Sequence, residues 1–439
     1  MKLKYPYYVS LLLAFFNLQT TFAQVQEFKP LDVMFSHSNV LNRHYYGFSL
    51  YDLDSNKFVY GIKEDLPFTP ASNTKVFTLF TSLKVIGDSI PGIEYIEKGD
   101  SLLFWGTGDP TFLHPKLDTR RVYDFLKNSD KKLFYVRQQA SEPAYREGWS
   151  AADYNAYYQP EVATFPIYGN VVRFKAQGRS VISFPSYFER YVEVRHSKSK
   201  YFSLQRKRYS NTFEMNSVNV PKSYYATKPF IWSDTLLVSL LQDTLKKEVS
   251  MLLDVAKPDD VKTLYSAPRN ALLRDMMLPS DNFLAEQLTM IASERKYNGF
   301  YTDSLRVDMQ RDYYTQFQDQ VNLFDGSGLS IFNKVSPRSM IELLLAINEI
   351  VPDDTERYHF FPTGGVDGTL RRAYMLDQGE PFVWAKTGTL RTVYCQSGYL
   401  ITRSGRRFAF SFLNNNFRNN ASTVRRELVN IMTFLRQNY

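Results

Sequence analysis

Any fold for this chain has to bring together three short patterns that lie far apart in it. Ser72-Asn73-Thr74-Lys75 gives S-x-x-K, Ser280-Asp281-Asn282 gives S-D-N, and Lys386-Thr387-Gly388 gives K-T-G. In a chain of 439 residues, 208 positions separate the first two and 106 the last two. Each pattern alone is weak. S-x-x-K occurs four times, at Ser72, Ser129, Ser197 and Ser293, and S-x-N twice, at Ser217 and Ser280. Local context separates them. Ser72 opens an apolar run (Val76, Phe77, Leu79, Phe80, Leu83, Val85) whose spacing predicts a buried helix ending before Gly87. One helical turn sets residues i and i+3 side by side, so Lys75 can reach the Ser72 hydroxyl. The same helix start leaves the Ser72 N–H unpaired, free to donate to an anion. Ser280, unlike Ser217, precedes a helix-like run from Phe283 to Leu288. K-T-G occurs once, ahead of a strand pattern where a cation and backbone N–H groups could line a cleft.

The N-terminus reads as an export signal. Lys2 and Lys4 precede an apolar stretch from Tyr8 to Leu18, and Thr21-Phe22-Ala23 supplies small residues for cleavage after Ala23. The stretch is shorter than the ~20 residues a membrane helix needs, so contact with a membrane is at most peripheral. Removing 23 of 439 residues leaves 416 and, with two lysines lost, lowers the net charge from +8 to +6. A hydrophobic share of 44% with 22% charged residues describes a globular protein with a substantial core. An exported chain with a single cysteine, Cys395, has no internal disulfide, so packing must hold it together. Cys395 reads as a small buried residue. The histidines (His37, His44, His114, His196, His359) show no metal-ligand spacing, so neither a metal nor another cofactor is expected, nor is a nucleic-acid partner.

Organisation along the chain predicts an α/β (α+β) protein. Tyr46 to Ile62 reads as a hairpin turning at Asp54-Ser55-Asn56-Lys57. Helical patterns run from Ala267 to Glu294 and from Pro337 to Ile350. Val393–Thr402 and Arg407–Leu413 read as strands around a turn, and the last helix carries Val424, Leu428, Ile431, Met432 and Leu435 on one face. Between them the texture changes: eleven of the 31 tyrosines fall between Tyr145 and Tyr225. The expected division is residues 1–23 as signal, 24–110 with 261–439 as one α/β domain, and 111–260 as a β-rich insert standing apart from the Ser72 helix. The basic run Arg195–Lys200 with Arg206-Lys207-Arg208 reads as a solvated loop, and Glu286 as an ordinary helix residue.

The ordered trio is the set found in serine β-lactamases and penicillin-binding proteins. Further stretches narrow the likeness: Pro70-Ala71-Ser72, Gly106-Thr107-Gly108-Asp109-Pro110-Thr111, Asp325-Gly326-Ser327-Gly328-Leu329-Ser330, Asp367-Gly368-Thr369-Leu370 and Ala385-Lys386-Thr387-Gly388-Thr389-Leu390. With a long insertion between its first and second motifs, the chain resembles the penicillin-binding D-alanyl-D-alanine carboxypeptidases and endopeptidases of peptidase family S13, the class C low-molecular-mass penicillin-binding proteins. The likeness covers most of residues 40 to 439 and is weakest in the insert.

That resemblance implies the penicillin-recognising DD-peptidase fold, an antiparallel sheet flanked by helices with a helical subdomain. It implies an exported, periplasmic enzyme whose partners are peptidoglycan stem peptides ending in D-Ala-D-Ala, with β-lactams as covalent inhibitors. It makes Ser72 the nucleophile and Lys75 its base. Ser280 would relay a proton to the leaving amine, and Asn282 would hold the substrate amide and orient Lys75. Lys386 would supply charge, with Thr387, Gly388 and Thr389 binding substrate. The N–H groups of Ser72 and Thr389 would form the oxyanion hole. A serine β-lactamase and a non-catalytic envelope binding protein are the alternatives.

Overall fold

The computed structural model describes residues 27–138, 142–253, 255–418 and 420–439. The expected signal at 1–23 lies outside them. Both ends of the chain build one antiparallel sheet in the order Val383–Leu390, Val393–Ile401, Arg407–Asn415, Tyr45–Asp52, Lys57–Ile62. The expected hairpin and meander are therefore joined edge to edge, with Tyr45 opposite Asn415 and Asp52 opposite Phe408. The two strands at the meander's centre are buried at nearly every position, because helices cover both faces. On one face lie Lys29–Ser36 and Ala421–Asn438, whose Leu31, Phe35, Val424, Leu428 and Leu435 pack with Phe48, Phe410 and Phe412. On the other face lie Thr74–Val85, Asn282–Tyr297 and Pro337–Ile350, meeting Tyr399, Ala409 and Leu413. Cys395 is buried there, as expected of a small apolar residue. Among the described residues no helix is long and apolar enough to cross a membrane.

A second five-stranded sheet runs in the order Val249–Leu252, Lys132–Val136, Ser101–Gly106, Ser89–Lys98, Lys262–Pro268. Two of its pairings are parallel, so the chain needs crossovers, and the helices Arg121–Asn128 and Asp234–Leu245 lie within them. Two three-stranded sheets lie within the second crossover, and they share one core with the five-stranded sheet through Phe104, Phe165, Phe174, Phe213 and Leu240. The expected seams at 110/111 and 260/261 thus fall inside one sheet. Across the first seam Ser101–Gly106 pairs with Lys132–Val136, and Val249–Leu252 and Lys262–Pro268, on either side of the second, are the two edge strands of that sheet. Tyrosine texture tracks surface composition, whereas the sheet is set by long-range pairing. The helical pattern from Ala267 to Glu294 is also broken: a strand ends at Pro268, helices span Arg269–Met277 and Asn282–Tyr297, and Ser280 between them takes a left-handed φ of 63°. Arg206 departs from the solvated-loop reading. It is 1% exposed and donates to the carbonyls of Pro229 and Tyr154, while Lys198, Lys200 and Lys207 are exposed.

The C-terminal helix gives a test of this packing. Leu428→Ala should cost ~2–5 kcal/mol in urea-induced unfolding, as removal of a buried leucine does, and Arg426→Ala on the exposed face should stay within ~0.5 kcal/mol. Equal effects would place the helix differently.

Candidate active site

The three motifs converge. The Ser72 helix opens with one 3₁₀ turn, Ala71–Asn73, and continues as Thr74–Val85. Lys75 lies one turn on, fully buried, and its Nζ donates to Ser72 Oγ at 3.0 Å, Asn282 Oδ1 at 2.6 Å and the Ser327 carbonyl at 2.5 Å. A charged ammonium satisfies these contacts with three donors. A neutral amine satisfies them with two donors and a lone pair that accepts from the Ser72 hydroxyl. Burial pushes Lys75 down to about 8, against the pull of Asp325, Asp281 and Glu286.

Lys386, also fully buried, donates to Ser280 Oγ at 2.7 Å and to the Thr387 carbonyl at 2.7 Å. Its ammonium is held well below the usual lysine range, by burial first and by Lys75 second. Two lysines brought into one dry site cannot both keep their protons at low cost. Thr387 Oγ1 donates to Thr369 Oγ1 at 2.7 Å, so the D-G-T-L stretch supplies a hydroxyl neighbour to the K-T-G strand.

Close backbone approach explains two glycines. A Cβ on Gly388 would lie 2.4 Å from the Pro70 carbonyl oxygen and 3.0 Å from the Ser72 nitrogen. Gly328 has φ +85°, and a Cβ there would lie 2.0 Å from the Ala71 carbonyl oxygen. The K-T-G strand and the D-G-S-G loop therefore press against the start of the Ser72 helix as only glycine permits. Ala71, at φ 47°, and Ser280, at φ 63°, are left-handed without being glycine. Such strain, on the order of 1–3 kcal/mol per residue, is held by the surrounding contacts.

A cleft of about 960 Å³ opens over these groups, with Ser72, Ser280, Asn282, Thr387 and Thr389 in its lining. The insert also contributes. Gly148–Ser150 and Tyr157–Gln159 line the same cleft, and Asn282 Nδ2 donates to the Tyr158 carbonyl at 2.9 Å. The insert does not stand apart from the Ser72 helix, contrary to the expectation. Its 148–159 segment crosses back over the cleft, which no local pattern announces.

The sequence reading also missed the carboxylates beneath the site. Glu286, 1% exposed, accepts from the backbone N–H groups of Gly326 at 2.9 Å and Ser327 at 2.8 Å. It is a loop anchor, not an ordinary helix residue. The available signal was its position four residues after Asn282, on the same helix face. Asp325 accepts from Gly328 and Ser330 N–H and from Trp149 Nε1. Among the described residues no group of three or more His, Cys, Asp or Glu side chains is placed to hold a metal ion.

Known proteins resemble the chain in sequence and in fold. D-alanyl-D-alanine carboxypeptidase DacB of Haemophilus influenzae is 33% identical over 159 residues, 34% of this chain and 32% of that protein. Carboxypeptidase DacB of Mycolicibacterium smegmatis is 29% identical over 163 residues, 36% of this chain and 35% of that protein. The chain thus spans about a third of the length of the curated relatives it matches. The crystal structure of penicillin-binding protein 4 (DacB) from Haemophilus influenzae superimposes with a TM-score of 0.73 at 22% identity. That match covers 91% of this chain and 98% of that one. A penicillin-recognising DD-peptidase fold is thereby shown. The model of the D-Ala-D-Ala carboxypeptidase 3 (S13) family matches residues 29–436, and the chain belongs to that family.

Proposed function

We propose that the chain is a serine D-alanyl-D-alanine carboxypeptidase of the cell envelope. It would hydrolyse peptidoglycan stem peptides, and also the equivalent bond in cross-links, through an acyl-enzyme on Ser72, and β-lactams would acylate the same serine. One observation carries the reading: a fully buried lysine, lowered to about 8, 3.0 Å from a helix-opening serine. Membership of the S13 family supports it, as does a crystal structure of the Haemophilus influenzae penicillin-binding protein 4 complexed with a β-lactam. The export signal expected at residues 1–23 supports the envelope location, in the periplasm.

Ser72 Oγ attacks the carbonyl carbon of the penultimate D-alanine while its proton passes to neutral Lys75. The developing oxyanion is met by the N–H groups of Ser72 and Thr389. Ser280, bonded to Lys386, passes a proton to the nitrogen of the departing D-alanine as the C–N bond breaks, and the proton held by Lys75 replaces it, leaving Lys75 neutral again. Asn282 holds Lys75 on one side and the substrate amide on the other. Water then attacks the ester carbonyl, Lys75 takes its proton and hands it to Ser72 Oγ as the acyl C–O bond breaks, and the shortened peptide leaves with a new carboxyl group. Thr387 and Thr389 donate to the terminal carboxylate in the field of Lys386, and Gly388 keeps that strand close to Ser72.

Intact mass spectrometry after incubation with penicillin tests the assignment: one acyl group should add to wild type and none to Ser72→Ala. An adduct surviving on the variant would place the nucleophile elsewhere, and rapid loss of the wild-type adduct would favour a β-lactamase. Lys75→Arg keeps the charge but cannot act as a base, so acylation should fall by a factor on the order of 10³ or more. Acylation near the wild-type rate would remove Lys75 from that role. Thr389→Val keeps the backbone N–H and loses the hydroxyl. It should lower kcat/KM for a free-acid D-Ala-D-Ala peptide by ~10- to 100-fold and affect the C-terminal amide much less. An equal loss on both substrates would show that the hydroxyl does not read the carboxylate.

A further inference from the structure

Beneath the cleft, the acceptor that Lys75 meets in the D-G-S-G loop is itself held from the insert. The Ser327 carbonyl accepts from Lys75 Nζ at 2.5 Å. The peptide N–H groups of Gly326 and Ser327 both donate to one oxygen of Glu286, at 2.9 and 2.8 Å. The other Glu286 oxygen accepts from Arg146 Nε at 3.1 Å, and Arg146 Nη1 donates to Glu142 at 2.5 Å. Arg146 belongs to the insert and is 8% exposed. Three residues on, Trp149 Nε1 donates at 2.8 Å to Asp325, whose oxygens also accept from Ser327 Oγ, Gly328 N and Ser330 N. Both carboxylates that fix the loop are therefore tied to the insert, and the loop in turn fixes Lys75.

We propose that Glu286 is a positioning residue for the catalytic lysine, clamped by Arg146 so that the insert sets where the Ser327 carbonyl stands and how much negative charge Lys75 faces. This rests on Lys75 being the base. A buried carboxylate that shares a dry site with a lysine does two separable things. Through its hydrogen bonds it fixes geometry, which affects the rate at every pH. Through its charge it favours the protonated lysine, which affects only where the acid limb of the pH profile lies. The charged groups that bear on Lys75 are Asp325, Asp281 and Glu286, which raise its proton affinity against desolvation; Lys386, on the neighbouring strand, is itself held down by the charge of Lys75. Arg146 offsets part of the Glu286 charge and prevents that carboxylate from being left buried without a counter-ion. Glu286 makes no contact with the cleft, so it acts only through Ser327 and Lys75.

The sign follows. Acylation needs neutral Lys75, so the rate falls as pH drops below the lysine's pKa. Removing the Glu286 charge lowers that pKa and moves the acid limb to lower pH. The test is the second-order rate of penicillin acylation, read by intact mass between pH 6 and 10, on full-length mature protein. Glu286→Gln should move the acid limb down by on the order of half a pH unit and lower the plateau rate roughly tenfold. Glu286→Asp retains the charge with a shorter reach, so it should lose rate with its acid limb in place. Arg146→Met should lose rate, and its loss should not add to that of Glu286→Gln, because both act through one carboxylate. Glu286→Asp and Arg146→Lys serve where the harsher variants do not fold. A folded Glu286→Gln with the wild-type acid limb, or fully additive losses for the pair, overturns the proposal. Failure of the wild-type protein to acylate at all overturns the functional reading instead.

Discussion

Lys75 is an amine with no solvent exposure, joined to Ser72, Asn282 and the Ser327 carbonyl. Burying an ammonium is costly unless its proton can leave or its charge is matched. The structure does both in part. Three carboxylates favour the charge, desolvation opposes it, and the balance leaves the amine lowered to about 8, while its charge helps to hold Lys386 down. Three elements set the positions of those groups: the Asn282 helix with its cap carries Glu286 and Asp281, the D-G-S-G loop Asp325, and the K-T-G strand Lys386. The rest of the architecture can be understood as what brings those elements within reach of one nitrogen.

The terminal sheet supplies the strand. Its edge, Val383–Leu390, carries Lys386, and Gly388 lets it press on Pro70 and Ser72. The helices on one face of the sheet supply the rest, because Thr74–Val85 and Asn282–Tyr297 pack in the same core. That core uses Leu79, Phe80, Leu284 and Leu288, so the packing that stabilises the protein also fixes the distance between Lys75 and Asn282. The insert shares its core with the strands at 89–106, and it reaches the site through Arg146, Trp149 and Tyr158.

Local structure was legible in the sequence wherever the determinant was local. The Ser72 helix, the Pro337–Ile350 helix, the hairpin and the last helix follow from periodicity, and the observed elements match them closely. The motif residues were legible because each motif is contiguous and its context distinctive. What was hidden depends on pairing between distant segments. The strands at 89–106 and 262–268 look like parts of the terminal domain until they are seen to pair with one another and, through Ser101–Gly106, with Lys132–Val136. Arg146 and Glu286 are 140 positions apart and carry no mutual signature in the chain. Glu286 read as ordinary because helical spacing gives the face a residue lies on and does not reveal what packs against that face.

The claim on which all of this turns is that Lys75 gives up its proton well below the ordinary lysine range. It can be read directly by NMR of lysine-labelled protein, with the Lys75 side-chain signal assigned by its loss in Lys75→Arg and followed across pH. The account predicts a midpoint near about 8. A Lys75 that titrates in the ordinary lysine range, near ~10.4, would contradict it, because the buried amine would then be an ion-pair partner and could not serve as a base.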